Sequence, residues 1–355
     1  MCAPNVEIFA ALCLPDGYSR LIPFYRGDTI LYIVLPALSI LEYQRLKSGP
    51  ENDIPVYSAY LCRNILTKYM KIRQKPDWLK TRLPGGSNYR EVKRIVEGHH
   101  LHTICSSGKC PNMGECWSAG TATFMILGEI CTRSCKFCAT LSGKPLIPDA
   151  GEPAKVAESI RLMGLKHVVI TSVDRDDLED GGAGHWAATI REIKVLNPST
   201  TIEVLIPDFD GRAELIEMTA SEKPDIISHN LETVERLTPL VRSRAKYRTS
   251  LDVIRIIAST GIVTKSGIMV GLGETPSEVL QCMDDLRSAG CEILTIGQYL
   301  QPTKKHLEVA EYVTPQIFEA YRNEGLARGF SVVESAPLVR SSYHAEKHLI
   351  SRCKV

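Results

Sequence analysis

The chain has 355 residues, 44% of them hydrophobic and 23% charged, with a formal net charge of +1. That length suits one large domain or two ordinary ones, and the balanced charge gives no reason to expect a nucleic-acid or membrane-surface partner. Twelve cysteines are present; their clustering in a long chain excludes a small disulfide-stapled secreted domain and favours a metal role in a reducing compartment, the cytoplasm.

Near the start, Ile30 to Leu41 is almost wholly apolar but is interrupted by Pro36. It is shorter than the roughly 20 residues a membrane-spanning helix needs. Glu7, Asp16 and Asp28 weigh against a signal or transit peptide. Residues 1–69 are therefore read as an unassigned extension, with Met70 as a possible native start. Residues 70–120 carry the first cysteine group, 121–328 an alternating α/β region, and 329–355 a C-terminal segment.

From Thr123 the pattern alternates between strand and helix. Strands are predicted at Thr123–Leu127, His167–Thr171, Ile202–Ile206, Asp225–Ser228, Val263–Met269 and Ile293–Ile296. Helices are predicted at Ala154–Met163, Trp186–Leu196, Ala213–Met218, Leu251–Ala258, Glu278–Ala289 and Pro315–Arg328. Phe330–Val333 reads as one further strand. Six successive strand–helix units predict a parallel sheet wrapped by helices, either doubly wound or curled into a partial barrel short of eight units. Polar and glycine-rich residues follow the strands: Cys131 after the first, Ser172, Asp174 and Asp176 at the second, Asn230 and Glu232 after the fourth, Gly271 and Gly273 after the fifth, and Gln298, Tyr299 and Gln301 after the sixth. In parallel α/β folds these strand ends form the active face, so five loops should converge there.

Cys131, Cys135 and Cys138 form a Cys-x3-Cys-x2-Cys loop. Thiolates suit iron–sulfur clusters and zinc. Three thiolates can hold three irons of a four-iron cube and leave the fourth open to substrate; structural zinc normally needs four closed ligands. Cys105, Cys110 and Cys116 form a second triad with wider spacing, able to hold a second cluster with a fourth ligand from elsewhere. Cys2, Cys13, Cys62, Cys282, Cys291 and Cys353 read as ordinary thiols.

The Cys131–Cys138 loop, with Phe137 before its last cysteine, resembles the signature of the radical S-adenosylmethionine superfamily. The two triads in order, with Val173–Asp177, His229–Thr233, Gly267–Thr275, Gly297–Thr303 and Arg340–Ala345, resemble the lipoyl synthase family from about Lys75 to Ala345. The resemblance implies a partial six-unit barrel with two 4Fe-4S clusters and S-adenosylmethionine as cofactors. It implies a 5′-deoxyadenosyl radical that removes hydrogens from carbons 6 and 8 of an octanoyl group on a carrier-protein lysine. Sulfur would come from the auxiliary cluster held by Cys105, Cys110 and Cys116, with Ser341 as fourth ligand and Arg340 beside it.

For S-adenosylmethionine the expected contacts are Ser172, Asp174, Asp176, Asn230, Glu232 and Arg242, with Gly271 and Gly273 allowing close approach to the adenine and Phe137 packing on it. Plainer readings stand beside these: a tight turn for the glycines, a surface charge for Arg242, a cluster shield for Phe137. Ala336 stands where the family commonly has glycine. Implied partners are octanoylated lipoyl domains of 2-oxoacid dehydrogenase E2 subunits, the glycine cleavage H protein, and a flavodoxin or ferredoxin donor, acting on a monomer. Two other classes compete: a sulfur-inserting enzyme resembling biotin synthase, and a non-enzymatic cluster or zinc carrier.

Overall fold

The computed structural model describes residues 6–7, 19–26, 29–36, 75–80, 86–99, 101–118, 123–343 and 345. The chain divides into two compact units, Met1–Arg73 and Gln74–Val355. The first contains strands β1 (Val6–Glu7), β2 (Ser19–Arg26) and β3 (Thr29–Pro36), with β2 and β3 paired antiparallel and β1 parallel to β3. The apolar run from Ile30 thus begins within a strand. No described helix is long and apolar enough to cross a membrane.

The second unit opens with helix α1 (Ser87–Gly98), strand β4 (His102–Thr103), and the short helices α2 (Ile104–Ser107) and α3 (Met113–Ser118). Strand β5 (Thr123–Ile126) follows, then a two-stranded ribbon of β6 (Ile130–Cys131) and β7 (Leu141–Ser142) that brackets the cysteine loop. The alternating region then runs α4 (Glu152–Met163), β8 (His167–Ser172), α5 (Ala183–Leu196), β9 (Thr201–Leu205), α6 (Ala213–Ser221) and β10 (Ile226–Ser228). It continues through α7 (Thr238–Val241), α8 (Tyr247–Ser259), β11 (Val263–Val270), α9 (Pro276–Ser288), β12 (Ile293–Gln298), α10 (Pro315–Ala327) and β13 (Val332–Ser335).

The sheet order is β13-β12-β11-β10-β9-β8-β5-β4. Every alternating-region strand pairs parallel with the next in the chain, and only β4 is antiparallel. A doubly wound sheet would reverse its order at a switch point; this one does not. Seven parallel strands are therefore seen where six units and one further strand were expected. The antiparallel β4 and helices α2 and α3 had no periodic signal, because they are two, four and six residues long; α1 is amphipathic, burying Val92, Ile95 and Val96, and was missed although its period is present in the sequence.

Local chemistry explains the element ends. Gly164 takes a left-handed conformation as the cap of α4. Thr275 and Glu278 form a capping box at α9. Apolar side chains of α4 and α5, including Ile160, Trp186 and Ile190, pack with Phe124, Ile170 and Val204 of the sheet. Val279, Met283 and Phe318 pack with Ile268, Leu294 and Ile296 in a second cluster. Within the sheet, Lys265 Nζ lies 2.7 Å from Glu203 Oε1, both fully buried, and Ser228 donates to the same oxygen at 3.0 Å. A buried pair like this is kept by its partners rather than by net attraction.

Candidate active site

The first triad is held by its own backbone and by its neighbours. Leu127 sits at φ 68°, Gly128 at 91°, and this left-handed step turns the chain off β5 into the loop. Leu127 N donates to the buried Glu152 carboxylate at 2.7 Å, and Leu127 O accepts from Arg175 Nη1 at 3.2 Å. Cys131 Sγ then accepts from Arg133 N at 3.4 Å and Asp174 N at 3.3 Å. Cys135 Sγ lies 3.6 Å from Ser243 Oγ. Cys138 O contacts His306 Nε2 at 2.9 Å, so the loop after β12 braces the far end.

Arg133, between the first two cysteines, is 6% exposed. Its guanidinium reaches Asp176 at 2.8 Å, Asp208 at 2.7 Å and Asp174 at 3.3 Å. It therefore ties the cysteine loop to the loops after β8 and β9. Burial opposes its charge, but the hydrogen bonds it donates to Asp176 and Asp208 win and raise its pKa above the usual arginine value. Burial would raise Asp208 as well, yet Arg133 holds it down to about 2. Asp174 is pushed up, chiefly by burial, against the pull of Arg133. Burial and the Asp174 charge push the Cys131 thiol up to about 12; a bound cation would oppose that shift.

The three loop cysteines line a cavity of 610 Å³ at the C-terminal strand ends, with Phe137, Ser172, Asp174, Asn230, Glu232 and Arg242. Ser172 Oγ and Asn230 Oδ1 are buried there with no hydrogen-bond partner in the protein. Such atoms await a ligand or water. Arg242 is 8% exposed and donates to Ser250 Oγ at 2.7 Å, which rules out the surface-charge reading. Glu232, at φ 68°, is pushed up by burial against the pull of Arg242.

Three expected contacts lie outside this wall. Asp176 spends its carboxylate on Arg133 and on Thr132 Oγ1 at 2.9 Å. Gly271 and Gly273 take φ of 94° and 106° but do not line the cavity. A Cβ on Gly271 would stand 2.1 Å from Gln298 Nε2 and 2.4 Å from Glu311 O, so close packing with the loop after β12 requires this glycine.

The second triad is built by α2 and α3. Thr103 caps α2 by accepting from Ser106 N at 3.3 Å, which sets Cys105 at the helix start. Cys110 N bonds Cys105 O at 3.0 Å, and Cys116 N bonds Asn112 O at 2.9 Å. Cys105 and Cys110 line the first cavity and also a second, likewise of 610 Å³, which Cys116 joins.

The C-terminal segment crosses between the two. Gln298 N donates to Pro337 O at 3.2 Å, Asn112 Nδ2 to Leu338 O at 2.7 Å, and Tyr343 Oη to Glu115 Oε1 at 3.1 Å. Gly297 lets it approach, since a Cβ there would be 2.1 Å from Val339 O. Ala336 is not among the residues at positive φ, so no glycine is needed there. Arg340 and Ser342 line both cavities. Ser341 lines only the first, where its Oγ accepts from Asn230 Nδ2 at 2.7 Å.

Arg133, Glu152, Arg175 and His306 were missed as site residues. Only Arg133 had a signal, an arginine between two metal-type cysteines. As for the groups that would fill the site, all six cysteines are free thiols. Among the described residues no three Cys, His, Asp or Glu side chains converge on a single metal-ion position. Three thiols without a fourth cysteine or histidine fit a cube with one open iron better than closed tetrahedral zinc.

A model of the radical SAM superfamily matches residues 125–286, and one of the N-terminal domain of lipoyl synthase matches residues 44–110, beginning upstream of Met70. Lipoyl synthase of Bacteroides thetaiotaomicron is 68% identical over 276 residues, covering 78% of this chain and 98% of the relative. Those of Porphyromonas gingivalis and Treponema denticola are 62% and 59% identical, covering 78% and 79% of this chain and 98% and 96% of the relatives. With both triads on the page and identity at this level over nearly the whole of each relative, the chain belongs to the lipoyl synthase family of radical SAM enzymes.

Proposed function

We propose that this chain inserts two sulfur atoms, at carbons 6 and 8, into an octanoyl group carried on a protein lysine. The observation that carries the reading is that Cys105 and Cys110 of the second triad line the same cavity as all three cysteines of the first, with the C-terminal segment crossing between them. When bound, S-adenosylmethionine and the two 4Fe-4S clusters supply a carbon radical and sulfur. The chain's residues bind and orient. Cys131, Cys135 and Cys138 hold the first cluster, and Asn230, Glu232, Arg242 and Ser172 offer polar atoms to the methionyl and ribose groups. Phe137 gives the cavity an apolar side. Asp174, with its N–H on Cys131 and its carboxyl turned to Arg133, positions the loop.

Cys105, Cys110 and Cys116 hold the auxiliary cluster. For its fourth ligand we favour Ser342 over Ser341, because Ser342 shares a cavity with all three cysteines while Ser341 is engaged by Asn230. An oxygen ligand is weak for iron in a sulfur-rich site, which suits a cluster that gives up sulfur. Arg340 lies between the cavities, and burial pushes its pKa down against the opposing charge of Cys110. Residues 70–120 and 329–355 would then flank a partial barrel at 121–328. The acceptors are octanoylated E2 lipoyl domains or the H protein, with a flavodoxin or ferredoxin as donor.

The test is anaerobic incubation with dithionite, S-adenosylmethionine and an octanoylated lipoyl domain. Mass analysis should show two sulfurs gained and deoxyadenosine formed. A reconstituted protein that yields no deoxyadenosine would end this reading.

A further inference from the structure

An electron that reaches the first triad from another protein arrives across the outer face of the Cys131–Cys138 loop, because the inner face borders the substrate cavity. Three segments meet on that outer face. Lys136 N donates to Val241 O at 2.9 Å, and Leu307 N donates to Lys136 O at 3.2 Å, so residues 134–138, 241–246 and 304–308 form one continuous surface. The cover over the cysteine is thin: Ser134 and Ser243 are exposed, and Cys135 Sγ lies 3.6 Å from Ser243 Oγ.

Four lysines stand on this surface: Lys136, Lys246, Lys304 and Lys305, all exposed. Among the described residues none of the four ammonium groups has a partner. The neighbouring arginines behave differently. Arg236 pairs with Glu278, Arg244 with Asp210 and Arg248 with Glu235, each at 2.6 Å. In the three segments only one exposed carboxylate, Glu308, stands against the four lysines. Exposed lysines commonly serve only solubility. Here the three arginines bordering the face are paired, while four unpaired ammonium groups stand together over one cysteine loop of a chain whose net charge is only +1.

We infer that this face docks a small one-electron carrier protein with an acidic surface, its carboxylates meeting Lys136, Lys246, Lys304 and Lys305. The inference rests on the proposed radical function. In the step, the reduced carrier loses one electron and the oxidised first cluster gains one; no protein bond forms or breaks. Charge of this kind acts mainly on encounter, raising the association rate in a salt-dependent way.

The test compares wild type with the double variants Lys136→Glu/Lys304→Glu and Lys136→Arg/Lys304→Arg, using an acidic flavodoxin as probe. Binding to the anaerobic holoenzyme is titrated at low and high salt. Carbodiimide cross-links are mapped by mass spectrometry, and deoxyadenosine is measured with reduced flavodoxin and with dithionite. Charge reversal should weaken flavodoxin binding about tenfold, remove most of its salt dependence and abolish cross-links at this face, while dithionite-driven turnover stays near wild type. The arginine variant should bind like wild type. Unchanged flavodoxin binding in the charge-reversed protein overturns the inference. So does weakened binding of the octanoylated domain under dithionite, which would assign the face to the acyl carrier. Failure of the wild type to form deoxyadenosine with dithionite would instead strike the proposed function, while flavodoxin binding is read separately.

Discussion

Glu152 Oε2 accepts a hydrogen bond from Leu127 N at 2.7 Å and lies 2.8 Å from His185 Nε2. One carboxylate at the start of α4 thus holds a left-handed leucine four residues before Cys131. Leucine rarely adopts φ 68° without support. Its carbonyl is taken by the buried Arg175, and its side chain lies over Gly182, where a Cβ would stand 2.5 Å from Leu127 Cδ1. Glu152→Ala would orphan the buried Leu127 N–H, at a cost of about 1–3 kcal/mol. Thermal melts should show that loss, and anaerobic reconstitution should give less iron at the first triad. Glu152→Gln keeps an acceptor and should lose less. Equal melting of all three proteins would sink the idea.

Arg133 sets up a second prediction. Arg133→Met leaves Asp174, Asp176 and Asp208 facing one another, with Arg244 the nearest remaining cation at 3.8 Å from Asp176. Breaking a buried pair by removing one partner costs about 3–5 kcal/mol. The stranded carboxylates then have raised pKa values, so they take up protons as pH falls and the repulsion fades. The deficit against wild type should therefore be largest near neutral pH and shrink in acid. Chemical denaturation at several pH values reads this out; a deficit that does not change with pH would argue against it.

The contrast between Cys131 and Arg133 shows what the sequence could disclose. Both triads were legible because thiolates at short spacing have few other uses, and the alternating strands because buried parallel strands are continuous apolar runs. The strand ends were legible enough to bring Ser172, Asn230 and Glu232 to one cavity. Which polar residue in a loop faces inward was not. Asp174 and Asp176 differ by two positions and both reach Arg133, yet only Asp174 borders the cavity. Gly271 looked like a ligand-approach glycine because φ above zero serves both purposes; only the position of Gln298 distinguishes them. Helices α2 and α3 stayed hidden because they are too short for a period, α2 being set by the Thr103 cap, whereas α1 carries a clear apolar face in Val92, Ile95 and Val96 that was legible and overlooked.

His229 carries a pH prediction. Its Nδ1 contacts Ile206 O at 3.0 Å and its Nε2 contacts Ser250 Oγ at 2.9 Å. A carbonyl can only accept, so Nδ1 bears the proton; Arg242 donates to Ser250 Oγ, leaving the Ser250 hydroxyl proton for Nε2. Burial, then the Arg242 charge, pushes this imidazole down to about 4. The unfolded chain binds that proton at about 6.5. The unfolded state therefore holds more protons between these values, so stability is full above about 6.5 and falls as pH drops toward 4. The shift corresponds to about 3 kcal/mol. His229→Gln should flatten the melting temperature across this window while lowering it at pH 7. An unchanged pH profile in the variant would refute the assignment.

The two C-terminal serines can be separated by one pair of variants. Ser341 Oγ is within 2.7 Å of Asn230 Nδ2 in the first cavity, so Ser341→Ala should loosen a substrate-side contact at a cost of about 1 kcal/mol and leave iron retention at the second triad intact. Ser342 shares the second cavity with Cys105, Cys110 and Cys116. Ser342→Ala should lower iron and sulfide retained after desalting and reduce sulfur insertion, yet leave deoxyadenosine formation at the first triad in place. Both variants keep the six cysteines, so total loss of iron would signal misfolding rather than a lost ligand. The reverse pattern, with iron lost in Ser341→Ala and kept in Ser342→Ala, would return the ligand role to Ser341 and require the segment after Val339 to turn its side chains the other way.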